Sequence, residues 1–457
     1  MEYLPPDFAT LLEYFARCVG SAPNAASFTT LALGWVLCRG RRTLSGVIRA
    51  AGPFATKSHD AYQNFFSKSA WDMDALWQAL FLLLVAALCT AADGTAGRIW
   101  IAGDDTLIKH YGRRIWGAGS YRDAVRSSRK HTAFSWGHNW TVLVMVVKVP
   151  LIEDRFVALP ILARLNPKLP NDAKTKKKGK GSKQKKTTVL LMAEMIRTVA
   201  AWKPGATFLF CGDGAYACLA GQVAPNVVVV SRIRRDAAIY APAPRTRKKH
   251  QCGPTPRKGR RLLTPQQHVN RLPQKAWRLH TMYLYGHAVK RQLYTFTAVW
   301  DAVRPGQPIP IVCVRDPEGK LEDEFFFSTD PDMTPEEIII YYSGRWSIEV
   351  VFRECKQYLG IQEPQARKKE AILRIVPFGL WLNALIKCWF LLLPRQTQLQ
   401  CIDKDPWYTH KNTISFQDML TALRTHFWST LISPRSTPTL NFGQILEFTV
   451  KSLAKVV

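Results

Sequence analysis

Apolar and polar positions divide the chain into stretches of different period. Up to about residue 95, Ala, Leu and Phe recur at mixed spacings of three and four, the rhythm of helices with buried faces. Within that stretch, Arg42-Thr43-Leu44-Ser45-Gly46-Val47-Ile48 reads as a turn and a helix start, with Ser or Thr as the cap. From Arg98 the texture changes to strands. Ile99 to Asp105 is a short apolar run ending in acids. Trp140 to Val149 is rich in Val, as expected of a central strand buried on both faces, and Phe156 to Leu165 is a third run. Helical periodicity follows from Val189 to Ala201 and is ended by Lys203-Pro204-Gly205. Thr207 to Cys211 then runs into Gly212-Asp213-Gly214, and Asn226 to Ser231 predicts one more strand. Alternating strand-like runs recur at Arg278 to Tyr285, Leu293 to Trp300 and Ile309 to Arg315. Beyond Lys369 the pattern is helical again, over Ala371 to Leu393, Phe416 to Phe427 and Phe442 to Val456. No internal repeat is visible.

Two stretches break the rhythm. Lys168 to Lys186 is a tract of Lys, Gly and Ser with almost no apolar residue, so it has no area to bury against its ordering entropy. It is expected as a loop that either touches DNA or simply stays solvated. The second, from Arg234 to Pro335, opens basic and Pro-rich before its strand-like runs. The expected division is a helical N-terminal region over 1–95, a core over 96–233, a β-rich insertion over 234–335, a returning core segment over 336–370 and a helical C-terminal region over 371–457. Arg39, Arg41, Arg42 and Arg49 make the first region suitable as a DNA-binding domain or, equally, as a structural domain with a solvated basic face.

Composition adds a partner class. In 457 residues, 63 Lys and Arg face 34 Asp and Glu, a net charge of +29, which favours polyanions and above all nucleic acid. The apolar runs Leu76 to Ala92 and Leu380 to Leu393 are short or interrupted by Gln78, Asn383 and Lys387, so they read as buried helices and no membrane is expected. The start of the chain lacks a secretory pattern. Ten cysteines without a C-x2-C pair read as reduced, packed thiols.

The most informative pattern is Tyr342-x2-Arg345-x3-Glu349-x6-Lys356. At about 100° per residue these four side chains project from one narrow helix face, while Ile348, Val351, Phe352, Cys355 and Leu359 form an anchoring stripe beside it. A carboxylate flanked by two cations and a phenol suits a group that holds metal beside phosphates. Phosphodiester chemistry needs charge relief on the attacking and leaving oxygens, which two Mg²⁺ ions supply. Hard cations want carboxylate oxygens gathered from separate elements. Asp104-Asp105 and Asp213 end predicted strands and offer such carboxylates to stand with Glu349.

The pattern matches the YREK signature of the IS4 superfamily of insertion-sequence transposases, and Phe134-Ser135-Trp136-Gly137-His138-Asn139-Trp140 resembles a segment of its IS701-type branch. The resemblance covers most of the chain. It implies an RNase H-like mixed α/β core, in the order three strands, helix, strand, short helix, strand, interrupted by a β-rich insertion before the last catalytic helix and flanked by helical regions. It further implies a DDE triad of Asp105, Asp213 and Glu349 as catalytic metal ligands. Asp105 is preferred to Asp104 because the family's first acid commonly precedes Thr or Ser. Tyr342, Arg345 and Lys356 would contact the phosphate, and Trp277 or Trp300 would either stack on an unpaired base or pack in a core.

The implied cofactor is Mg²⁺, with Mn²⁺ as a substitute, in a two-metal site. The implied partners are double-stranded DNA at element ends and target, and a second copy of the chain. The implied setting is the bacterial cytoplasm, with the protein associated with the nucleoid. The expected activity is metal-dependent strand cleavage and strand transfer, with a hairpin intermediate open to test. The alternatives are an inactive or domesticated DNA-binding derivative and another RNase H-like nuclease.

Overall fold

A computed structural model describes residues 8–89, 97–112, 114–128, 130–148, 156–168, 187–244, 256–402, 404, 406–407, 409–411 and 413–432. Beyond Lys168, the Lys-rich tract lies outside the described residues, as does the expected helix Phe442 to Val456.

Five helices come first: α1 (Phe8–Ala16), α2 (Ala22–Leu37), α3 (Leu44–Ala51), α4 (His59–Ser67) and α5 (Met73–Leu88). Thr43 caps α3, its side chain accepting from the Gly46 N–H. Next come β1 (Arg98–Lys109), β2 (Gly119–Arg122), β3 (Phe134–Lys148), β4 (Phe156–Asn166), α6 (Thr188–Trp202), β5 (Thr207–Gly212) and β6 (Val227–Arg232), with a 3-10 turn, Gly214–Gly221, between the last two. The chain continues through α7 (Pro265–Val269), β7 (Arg278–Leu284), β8 (His287–Val299), β9 (Pro308–Arg315) and β10 (Glu324–Ser328). It closes with α8 (Pro335–Gly344), α9 (Ser347–Gln357), α10 (Lys369–Leu391), α11 (Arg395–Gln400) and α12 (Phe416–Ile432).

One half of the sheet runs β4-β3-β1-β5-β6, with β1, β5 and β6 parallel and β3 and β4 antiparallel. This mixed α/β arrangement, with helices at both ends of the chain, is that of an RNase H-like core. The strands of 234–335 do not form a detached sheet. β10 pairs antiparallel with β6, and β9, β8 and β7 follow outward, so one ten-stranded sheet carries both halves. The outer half has a second core of its own, which contains Trp277, Trp300, Ile309, Ile311 and Phe327.

The N-terminal helices likewise share a core with the C-terminal region. Phe15, Phe28, Trp35 and Phe66 ring Phe378 and Trp381 of α10 at 5.0–5.8 Å. α10 forms where the helical pattern of Ala371 to Leu393 predicts it, shifted by two residues, and by length and composition alone it is long and apolar enough to cross a membrane. Here it is the buried axis of that core.

The two faces of β1 are covered differently, and that decides the site. Odd-numbered residues face α6, where Gly103 leaves room for Met192 and Phe210. Even-numbered residues face α8 and α9, where Trp100 packs edge-on to Tyr341 at 4.9 Å. Gly344 lies so close beneath the Trp100 ring that any Cβ there would overlap it. The joint between α8 and α9 is seated on the sheet at this contact.

Candidate active site

The Tyr342–Lys356 pattern does not lie on one uninterrupted helix. Arg345 and Trp346 keep helical dihedrals, but their N–H groups donate to Tyr342 and Ser343, and those of Ile348 and Glu349 to Arg345 and Trp346. These bonds span three residues, the 3-10 pattern, which winds about 20° more per residue than an α-helix. The overwound joint separates α8 from α9 and turns Arg345 and Glu349 together onto β1.

Of the neighbouring aspartates, Asp104 meets that joint. Its Oδ2 accepts from Arg345 Nη1 at 2.7 Å, and Arg345 Nη2 reaches Glu349 Oε1 at 3.3 Å. Strand alternation turns Asp105 to the other face, where its Oδ1 accepts from the Tyr216 hydroxyl at 2.9 Å. Asp213 belongs with Asp104. Gly103 pairs with Gly212 in the parallel register, so Asp104 on β1 and Asp213, the extended residue just past the end of β5, stand side by side. Asp213 is held by its own turn: its Oδ1 accepts from Ala215 N–H at 2.9 Å, and its carbonyl accepts from Ser231 Oγ at 2.8 Å. The preference for Asp105 thus meets a structure that gathers Asp104, Asp213 and Glu349 around Arg345.

Charge and burial oppose each other here. Burial pushes the Asp104 carboxyl up to about 6, with Asp213 and Asp105 adding to the rise and Arg345 limiting it. Burial also raises Glu349, and Arg345 again pulls the other way. For Arg345, burial works against the cation, but Asp104, Tyr342, Glu349 and Asp213 more than offset it and its pKa ends above the ordinary value. Tyr342 is raised to about 12 by burial; its ring packs on Phe326 at 4.6 Å and lies 5.6 Å from the Arg345 guanidinium. Lys356 stands at the far end of α9. Burial lowers its pKa, and the charge of Lys109 adds to that.

Three groups at the rim were not singled out by their sequence. Arg232 ends β6 beside Phe326 and pairs with Glu324. Trp346, next to Arg345, is 51% exposed, and Tyr285, at the tip of the β7–β8 hairpin, is 64% exposed. Their rings meet edge to face at 6.4 Å. Tyr285 has φ 56° and Gly286 φ 85°, the twist that a two-residue hairpin turn requires, and at Tyr285 it is achieved without glycine. A Trp directly after the motif Arg was the available signal. Trp277 and Trp300, by contrast, are buried in the second core. Arg315 covers Trp277 at 4.0 Å, and Trp300 packs on Phe327 at 5.5 Å. They present no face for a base.

The donor set is all carboxylate oxygen, the kind that hard divalent cations take. Among the described residues, no three acidic, His or Cys side chains yet converge as a ligand group. The Arg345 guanidinium stands between Asp104 and Glu349, with the shorter bond to Asp104 and the longer to Glu349.

Two family models match the chain. The model described as DDE superfamily endonuclease covers residues 14–289, more than half of the sequence. The model described as Archaeal putative transposase ISC1217 covers residues 300–372, which include α8 and α9. No curated protein matches. DDE superfamily endonucleases are generally dependent on divalent metal, and DNA is the substrate these families imply. With more than half its length matched, and with acids from two neighbouring strands facing a third on a helix, the chain belongs to the DDE superfamily endonucleases.

Proposed function

We propose that the protein is a DNA transposase of the IS4 type that cleaves element ends and joins them to target DNA, with Asp104, Asp213 and Glu349 as its acids. The observation that carries this reading is the Arg345 bridge, which ties an acid on β1 to an acid on α9 beside Asp213. Mg²⁺, held by these three carboxylates, would supply charge relief at the attacking and leaving oxygens of a phosphodiester. Arg345, released from Glu349, donates to a phosphate oxygen as a planar fork. Tyr342 keeps its proton at neutral pH, all the more so because burial raises its pKa, and serves as a donor. Lys356 adds positive charge further along the strand. The exposed Tyr285–Trp346 edge offers stacking to a base next to the reacting phosphate. Two copies of the chain, one per element end, would synapse the DNA.

A plasmid carrying the cognate ends, incubated with protein and Mg²⁺, should be nicked and then joined to a second DNA. Glu349→Gln and Asp104→Asn should abolish both steps, while Asp105→Asn should retain nicking. Nicking that survives Glu349→Gln sinks the reading. The rival, a DNA-binding derivative without catalysis, draws on the absence of a converged ligand group among the described residues. Calorimetry with Mg²⁺ or Mn²⁺ on the DNA-bound protein separates the two, since the rival gives no heat that depends on Asp104 and Asp213.

A further inference from the structure

The β2–β3 hairpin lies outside the acid cluster. Ser120 pairs with Trp136 and Arg122 with Phe134, and partners across a ladder share a face. That face is open: Phe134 is 62% and Trp136 39% exposed, with Ser120 and Arg122 exposed beside them. The opposite face is tied down. Asp123 takes Lys109 at 2.7 Å and Ser135 Oγ at 2.8 Å, and Tyr121 donates to the Asn166 carbonyl. His138, two residues beyond Trp136 on the same face, is buried and fixes the strand there. Its Nε2–H must donate to the Trp116 carbonyl (2.8 Å), so its Nδ1 accepts from His110 Nε2–H (2.9 Å). The Trp136 ring is oriented as well, its Nε1–H donating to Gly112 O at 2.9 Å.

The charge of this surface has one sign. Between Lys109 and His138 the only acid is Asp123, which is buried and paired, while Arg114, Arg122, Arg126 and Lys130 are exposed. Two exposed aromatics on a fixed strand, rimmed by cations, fit a polyanion with flat apolar faces. Phe134 and Trp136 are about 6.8 Å apart along the strand, twice the ~3.4 Å rise of stacked bases. Their face is also the face of the site. The pairing of β1 with β3 puts Asp104 opposite Val142 and runs without a break to Lys109 opposite Gly137, so Trp136 lies on the Asp104 side, roughly 20 Å further along. Lys356, at the far end of α9, brings positive charge to the interval.

We infer that this hairpin is a docking platform for an unpaired DNA strand, stacking its bases on Phe134 and Trp136 and holding its phosphates with Arg122 and the neighbouring cations. Duplex DNA has no free base faces to offer, so the aromatic pair selects strands that are open, as at a nicked or frayed end. The inference rests on the DNA-cleaving reading and extends it from the reacting phosphate to the strand beyond.

The test measures binding of a labelled oligothymidine of about 20 nucleotides and of a duplex of equal length by the full chain without metal, over a range of salt. Phe134→Ala and Trp136→Ala should each weaken oligothymidine binding by about tenfold, leave duplex binding within twofold, and leave the salt slope unchanged. Phe134→Trp should keep the affinity, which shows that loss does not come from a disturbed fold. Arg122→Ala should instead lower the salt slope by about one. Oligothymidine binding equal to wild type in both alanine variants overturns the platform, as does an equal loss on duplex. A change of oligomeric state in place of affinity assigns the surface to a second copy and also overturns it. Failure of the wild type to nick DNA with Mg²⁺ is a separate result, which refutes the cleavage reading and leaves the binding comparison intact.

Discussion

Two carboxylates on α9, five residues apart, live in opposite conditions. Glu349 faces the sheet from a half-open position and shares Arg345 with Asp104 through a 3.3 Å contact. Glu354, on the back of the helix, is buried against α10, where it takes Lys387 at 2.6 Å and Asn383 at 3.3 Å. Lys387 is completed by the Ala158 carbonyl at 3.1 Å. The front acid has a partner it can exchange. The back acid has one it cannot lose, because a lone buried charge costs several kcal/mol. One short helix thus separates chemistry from anchorage by turning the two to different sides.

The largest effect that tests this contrast is at the front. Glu349→Gln should lower cleavage by about a thousandfold or more, the scale of losing a principal charge-stabilising group, with the denaturation midpoint nearly unchanged. A stable, active variant would dissolve the distinction. At the back, Lys387→Met alone should cost about 3–5 kcal/mol in denaturant unfolding, and adding Glu354→Leu should recover most of it. Failure of the second change to rescue the first means that the pair is not an isolated anchor.

Gly344→Ala comes next, since its Cβ meets the Trp100 ring. Overpacking there should cost about 1–3 kcal/mol and weaken metal affinity more than Lys387→Met does at equal stability. The smallest effect is on pH. Asp104 is raised from 3.8 to about 6, so the folded protein binds its proton more tightly than the unfolded chain does. The group therefore costs no stability below pH 3.8 and costs progressively more as pH rises through about 6. Metal affinity should fall as pH drops below about 6. In Arg345→Gln that midpoint should move upward, because the guanidinium is what limits the rise.

Much of this was legible beforehand. The Val-rich run of β3 and the apolar runs ending in Asp declared buried strands, because a strand covered on both faces leaves no polar alternation. The acids on strand ends and the Tyr342–Lys356 spacing pointed to the cluster. What was not legible depended on information that no local pattern holds. Asp104 and Asp105 differ only in which face of β1 meets α9, and a period of two does not say which face is which. The joint at Arg345 follows from Gly344 seating on Trp100, a contact between residues 244 positions apart in the chain. The outer strands joined the catalytic sheet because the Glu324–Ser328 run, too short to stand out, bridges β6 to β9.

The shared core of α10 and the N-terminal helices governs how the chain is made. Phe15 waits for Trp381, and the Trp35 indole for the Leu359 carbonyl, a separation of 324 residues. At a synthesis rate of roughly 5 to 20 residues per second, that delay is on the order of 20 to 70 s. Through that interval the emerging helices expose the aromatic faces that α10 will cover, so their folding is completed only near the end of translation, and a nascent chain halted before residue 369 would be a client for chaperones.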